Sequence, residues 1–81
     1  MSRGYSLRLR DLNKKADIRK IGVRLGRACI KHNVPVMVVA NNLGVTRTTV
    51  YNWFCGVSAP QDHTAGRVEA YIANLEQADP K

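Results

Sequence analysis

Four polar residues near the middle of the chain have the spacing that places side chains on one face of a helix: Arg47, Thr48, Tyr51 and Asn52. Residues three and four apart are neighbours on a helix surface, so a helix over 46–54 would present all four together. The guanidinium of Arg47 fits the two acceptors on a guanine edge, the amide of Asn52 fits adenine, and the methyl of Thr48 fits the thymine methyl. This face therefore offers contacts suited to the base edges of DNA. For Arg47, a phosphate contact is the competing role.

The opposite face of the same helix is apolar. Val50 and Trp53 are three residues apart and lie away from the polar side. Thr46 stands just before the helix, where a hydroxyl accepts a hydrogen bond from an N–H group of the first turn. One face would pack while the other stays accessible, as a helix that reads the major groove requires.

A second helix is predicted directly before this one. Ala40 is small, which allows two helices to approach closely at this point. Gly44 follows four residues later, where the chain must turn and a left-handed backbone favours glycine. Pro35 suits the first turn of this helix. The pattern predicts helices over 35–43 and 46–54 joined by a tight turn.

The chain resembles the Cro/repressor-type helix-turn-helix family over residues 17–77. The resemblance rests on the skeleton Ala40, Gly44, Val45, Val50 and Trp53 and on the run Tyr-Asn-Trp-Phe-Cys-Gly-Val-Ser-Ala-Pro at 51–60. It implies a compact all-α bundle of about four helices, with the helix at 46–54 inserted into the major groove. It also implies that Ser58 and the backbone amides after Gly56 bind phosphate. Members of this family are small regulators of bacteria and their phages.

Basic residues are concentrated before the predicted helix pair. The formal net charge of the chain is +7, but residues 1–33 hold ten Lys and Arg against two Asp, whereas residues 34–81 hold three against four acidic residues. An excess of this kind indicates a polyanionic partner. The predicted phosphate contacts are Thr46, Thr49, Ser58, Arg3, Arg8 and Arg10.

The basic segment is expected to contain an arm and one helix. Residues 1–13 lack helical periodicity and alternate Leu-Arg-Leu-Arg at 7–10, so we expect a basic N-terminal arm there and the helix-turn-helix domain over 14–78. A first helix over 15–32 is predicted from a core stripe of Ile18, Ile21, Leu25 and Cys29. A basic stripe on its opposite side consists of Lys20, Arg24, Arg27 and Lys31. This stripe is either a solvated face or an extension of the phosphate-binding surface.

A last helix is predicted near the C-terminal end of the domain. Asp62 or Thr64 could cap it, and it would continue to about Gln77. Its inward side would consist of Ala65, Val68, Ile72 and Leu75.

The second helix departs from the family pattern at its start, where related proteins often carry polar residues. This chain has instead the run Val36, Met37, Val38 and Val39. The core requires only Val39, which adjoins the small Ala40. The side chains of Val36, Met37 and Val38 must therefore be covered by another segment or tolerate exposure to solvent. Cover is favoured, because an exposed apolar patch promotes aggregation. We favour cover by the arm, through Tyr5, Leu7 or Leu9, and a partner protein is the alternative.

Catalytic and metal-binding chemistry is not indicated. The sequence has no paired carboxylates, no nucleophile beside a base and no phosphate-cradling glycine loop, so we predict no enzyme. The residues that could suggest zinc lack the spacing of a zinc site: Cys29, His32, Cys55 and His63. No metal and no cofactor are therefore expected. The lack of a membrane-length apolar run and of a signal-peptide pattern favours a cytoplasmic protein of a bacterial or phage-infected cell.

These features predict a sequence-specific regulator of transcription that binds double-stranded DNA, a repressor by analogy. One such module reads few bases, so we expect a homodimer on a two-fold site, formed in solution or on the DNA. One alternative is a sequence-tolerant architectural DNA binder, which would show a steep salt dependence. The other is an interaction module that docks on a host or viral enzyme through the apolar second helix.

Overall fold

The computed structural model describes residues 6–78, which contain five α-helices and no strand. The helices are α1 (Leu7–Lys15), α2 (Ile21–Lys31), α3 (Val36–Leu43), α4 (Arg47–Phe54) and α5 (Asp62–Ala78). The predicted all-α class is confirmed, with five helices in place of about four. The Cα radius of gyration is 11.5 Å.

Helix α1 occupies most of the segment that we expected to be an extended arm. The Ser6 hydroxyl caps it by accepting a hydrogen bond of 3.1 Å from the N–H of Leu9. Leu9 and Asn13, four residues apart, face the core, whereas Leu7 is 81% exposed. The prediction of an arm without helical structure over residues 7–13 was therefore wrong. Only one of the two leucines in the Leu-Arg alternation is buried, so the sequence shows no apolar stripe that would mark the helix. Residues 1–5 lie outside the described range.

The predicted helix over 15–32 is interrupted by residues 16–20, and α2 begins at Ile21. The Asp17 carboxylate accepts a hydrogen bond of 2.9 Å from the N–H of Arg19, which stabilises a turn. Ile18 is 44% exposed in this turn, so its place in the predicted core stripe was wrong. Leu25 and Cys29 are buried as predicted.

Helix α2 is the central element, because α1, α4 and α5 all pack against it. The buried residues that form the core come from every helix: Leu9, Leu25, Cys29, Val36, Val39, Ala40, Leu43, Val50, Trp53, Phe54 and Val68. Two glycines of α2, Gly22 and Gly26, face the last turn of α4. The absence of side chains there allows the two helices to approach closely.

Helices α3 and α4 are joined by the tight turn that the sequence predicts. Gly44 has a φ of 71°, and the N–H of Val45 donates to the Ala40 carbonyl at 3.0 Å. Such a left-handed glycine satisfies a carbonyl at a helix end. Ala40 is buried, in agreement with its predicted place at a close approach. The chain thus leaves α3 and enters α4 within three residues, 44–46.

Helix α5 starts at Asp62, and the carbonyl of Gln61 accepts hydrogen bonds from Thr64 and Ala65 at 2.9 and 2.7 Å. Asp62 thus lies in the first turn, where its charge interacts favourably with the helix dipole. Val68 is buried, and the other three predicted inward residues are half-buried: Ala65, Ile72 and Leu75.

Candidate nucleic-acid interface

The N-terminal end of α4 is capped by its own threonines. The hydroxyl of Thr46 accepts a hydrogen bond of 3.2 Å from the N–H of Thr49, and the two hydroxyl oxygens are 3.0 Å apart. Both threonines are predicted phosphate contacts. Because one hydroxyl hydrogen lies between the two oxygens, the pair keeps a single hydroxyl hydrogen for an outside acceptor.

The polar face of α4 is accessible, as the spacing predicts. Arg47, Thr48 and Tyr51 are exposed and Asn52 is half-buried. Within residues 6–78, none of these four side chains takes part in a hydrogen bond or ion pair. Behind them, the opposite face of α4 is buried through Val50, Trp53 and Phe54. The helix therefore presents uncommitted polar groups on a support that is fixed by packing.

The loop after α4 differs from what the family resemblance implies. Gly56 has the expected left-handed φ, at 78°. The N–H groups of Val57 and Ser58 donate to the Asn52 carbonyl at 2.9 and 3.4 Å. They are thus directed toward the helix end, whereas the resemblance implies amides that bind phosphate. The Ser58 residue itself is exposed.

The basic stripe on α2 is largely engaged within the protein. The ammonium of Lys20 donates to the Gly56 carbonyl at 2.9 Å, which places a cation at the C-terminal end of α4. The guanidinium of Arg24 lies 2.8 Å from the Glu69 carboxylate on α5. Arg27 donates to Asn13 on α1. These contacts give three of the four stripe residues a role in joining α2 to its neighbours.

Two of the three predicted phosphate-binding arginines of the N-terminal segment lie on a helix. Arg8 and Arg10 are exposed on α1, and Arg3 lies outside the described range. On the same helix Lys15 pairs with Asp11 at 3.1 Å. The predicted phosphate contacts that the structure describes are therefore divided among α1, the start of α4 and the loop after α4.

The apolar start of α3 is half inside and half outside the core. Val36 and Val39 are buried, so Val36 is needed by the core as well, in contrast to the prediction. Met37 and Val38 are 55% and 42% exposed. Of the arm residues expected to cover them, Leu7 is itself exposed, and Tyr5 lies outside the described range. Leu9 is in the core, and Met37 and Val38 stay accessible.

The cysteines have the character of packing residues. Burial raises the pKa of the Cys29 thiol to about 12 and also raises the pKa of Cys55, which is half-buried. A thiol held protonated in this way is a poor nucleophile and a poor metal ligand. Among residues 6–78, no group of three or more His, Cys, Asp or Glu side chains is placed to hold a metal ion.

None of the helices in the described part of the chain combines the length and the apolar character needed to cross a membrane.

Sequence reasoning did miss one residue close to the α4 site. Asn13 is buried and donates to the carbonyl of Phe54 at 2.8 Å. The signal that could have found it is its four-residue spacing from Leu9 after the capping residue Ser6.

No protein-family model matches the chain, and no curated protein sequence or solved structure shows significant similarity to it. The geometry of α4 and its surroundings therefore carries the functional inference.

Proposed function

We propose that this chain is a sequence-specific regulator of transcription, a repressor, that binds double-stranded DNA by inserting α4 into the major groove. In this proposal α3, the turn at Gly44 and α4 act as a helix-turn-helix. One observation carries it: four polar side chains that have no partner among residues 6–78 project from a helix whose other face is buried. Side chains of these types on one face of a packed helix can form hydrogen bonds and apolar contacts with base edges.

Electrostatics at the start of α4 supports a role for Arg47 in this reading. Arg47 is the first residue of the helix, where the dipole already has its positive end. A cation costs stability at this position, typically about 0.3–1 kcal/mol. The same positive end of the helix dipole attracts electronegative groups such as guanine N7 and O6. This placement favours a binding role for Arg47 over a structural one.

Charge distribution favours specific binding over sequence-tolerant binding. A tolerant binder depends on many phosphate contacts by cations. Several cations of this chain are engaged by protein groups: Lys15, Arg19, Lys20, Arg24 and Arg27. Arg8 and Arg10 are exposed and supply positioning contacts to the backbone in this proposal.

An interaction module is the second candidate, and the exposed Met37 and Val38 on α3 favour it. In that case the surface of α3, rather than α4, would carry the function. Replacing the polar face of α4 would then leave the partner bound.

Selection of duplexes from a random DNA pool at moderate salt tests the proposal. We expect an enriched sequence, and Arg47→Ala should weaken binding to it by about 1–3 kcal/mol and relax preference at one base pair. Arg67→Ala is the matched control, because it removes the same charge from an exposed site on α5, together with one long hydrogen bond of 3.4 Å to the Asn42 carbonyl. Affinities would be measured by fluorescence anisotropy.

Three outcomes would contradict parts of the proposal. A pool without enrichment would overturn sequence-specific binding. Equal loss of affinity for all duplexes in Arg47→Ala would make Arg47 a phosphate contact. Capture of a protein partner that survives replacement of Arg47, Thr48 and Asn52 would support the interaction module.

A further inference from the structure

Asn13 joins three helices from within the core. It is 1% exposed, and its Nδ2 donates to the carbonyl oxygens of Phe54 at 2.8 Å and Val23 at 3.2 Å. The amide group thus connects α1 to α2 and to the end of α4. Buried polar groups are retained when they are hydrogen-bonded, and this amide meets that condition.

Arg27 and the two carbonyls together determine which way the Asn13 amide faces. The Nε of Arg27 donates to Oδ1 of Asn13 at 3.2 Å, and its Nη2 donates to the main-chain carbonyl of Asn13 at 3.2 Å. A guanidinium can only donate, so the oxygen of the amide must face Arg27. The nitrogen is then directed at the carbonyls of Phe54 and Val23. The amide orientation is therefore fixed by chemistry.

The end of α4 that Asn13 binds has little freedom to move toward α2. A Cβ atom at Gly26 would lie 2.5 Å from Nδ2 of Asn13 and 2.8 Å from Cγ of Phe54. The last turn of α4 therefore rests against the backbone of α2. The final carbonyls of a helix lack helical partners, and Asn13 supplies one for Phe54. Packing and this hydrogen bond together fix the C-terminal end of α4.

We propose that Asn13 is a positioning residue that sets the orientation of α4 in the groove, and hence the discrimination between DNA sequences. The inference rests on the proposed function. Helix α4 has eight residues, and Asn52 on its polar face is two residues from Phe54. Hydrogen bonds to base edges depend steeply on distance and angle. Long basic side chains on phosphates tolerate a small rotation of the helix, so Asn13 affects specific binding more than non-specific binding.

The test compares affinities for the selected duplex and for a duplex with one changed base pair. Asn13→Ala should reduce the ratio of the two affinities about tenfold. Val68→Ala is the control, because it creates a cavity in the same core from α5 and leaves the hydrogen bond between Asn13 and Phe54 in place. A lower folded fraction raises both dissociation constants by the same factor and cancels in the ratio. A change in the ratio therefore reports a change in the position of α4 and is not caused by a loss of stability.

Arg27→Lys is the second variant, because Arg27 is exposed and the substitution preserves its charge. It removes one of the contacts that orient the amide, so the ratio should fall in the same direction by a smaller factor, even if Asn13→Ala does not fold. Unchanged ratios in Arg27→Lys and in a folded Asn13→Ala would overturn the inference. A wild-type protein without sequence preference would instead overturn the proposed function.

Discussion

Gly22 lies against Trp53 so closely that a Cβ atom at position 22 would be 2.7 Å from the Trp53 Cβ and 2.8 Å from its carbonyl oxygen. These atoms belong to the backbone of α4 or are bonded to it, so no change of rotamer can move them away. Helices α2 and α4 therefore meet backbone to backbone at this point. The polar face of α4 is positioned by a residue that has no side chain.

Gly22→Ala should lower the free energy of unfolding by about 1–3 kcal/mol, the usual cost of overpacking. In an exposed helix the same substitution stabilises by about 0.5–1 kcal/mol. Gly66→Ala provides that comparison, because nothing lies within 4 Å of a Cβ at Gly66 on α5. Urea denaturation of both variants checks the prediction. Stabilisation by both substitutions would show that α2 and α4 are not in backbone contact.

Arg8→Gln and Arg10→Gln should each reduce the slope of log affinity against log salt by about 0.9, if each arginine contacts one phosphate. Glutamine retains good helix propensity, so α1 should persist. Deletion of residues 1–13 would be a poor test, because it also removes Leu9 and Asn13 from the core. Arg24→Gln is the control, since that guanidinium is paired with Glu69. Slopes that stay equal to the wild-type value would remove Arg8 and Arg10 from the DNA contacts.

The helix pair 35–54 could be predicted because its signals are local. Gly44 needs a left-handed backbone, Thr46 caps the following helix, and the spacing of Val50 and Trp53 defines a buried face. Each signal depends on neighbours within a few residues. The predicted bounds of α3 and α4 therefore agree with the structure to within one residue at each end.

Helix α1 could not be predicted by the same means. Its inward face consists of Leu9 and a polar residue, Asn13, so no apolar stripe marks it. The partners of Asn13 lie 10 and 41 residues away, at Val23 and Phe54. A buried asparagine is stable only because of these distant carbonyls. Sequence periodicity contains no information about such partners.

The engagement of the basic residues was also beyond sequence reasoning. Lys20 and Arg24 are spaced like a solvated stripe, but their partners are Gly56 and Glu69, 36 and 45 residues further on. Helical spacing shows which residues share a face. It does not show which neighbouring helix that face meets.

Stability should decrease at alkaline pH, in part because of Cys29. Burial raises the pKa of this thiol to about 12, whereas an unfolded cysteine has a pKa of about 8.5. The folded state holds the proton more tightly, so this contribution is complete below about pH 8.5 and is lost as the pH rises toward the folded value. Cys29→Ala should therefore show a flatter decline in its urea midpoint between about pH 8 and 11.

Cys55→Ala is the control for this experiment, since the thiol of Cys55 is half-buried and its pKa is raised by the same cause. It should change the pH dependence less than Cys29→Ala does. Parallel pH profiles for wild type and Cys29→Ala would show that the Cys29 thiol ionises equally well in both states.

Two copies of the chain should occupy one DNA site with two-fold symmetry. The half-sites should be centred about 34–36 Å apart, which is one turn of the duplex. Light scattering of the free protein, followed by titration onto the selected duplex, measures the stoichiometry with and without DNA. We expect a monomer in solution and two chains on the site. One chain on a site without inverted repeats would contradict this prediction.

The hydrogen bond between Asn13 and Phe54 also bears on the order in which the helices become stable during synthesis. The chain between the two residues spans 41 positions, which a ribosome adds in roughly 2–8 s. Of the five described helices α1 is made first, but the buried Asn13 amide has no carbonyl of α4 to bind until α4 has been made. A nine-residue helix is marginal in water without tertiary contacts. We therefore expect α1 to become stable only after α4 has been made.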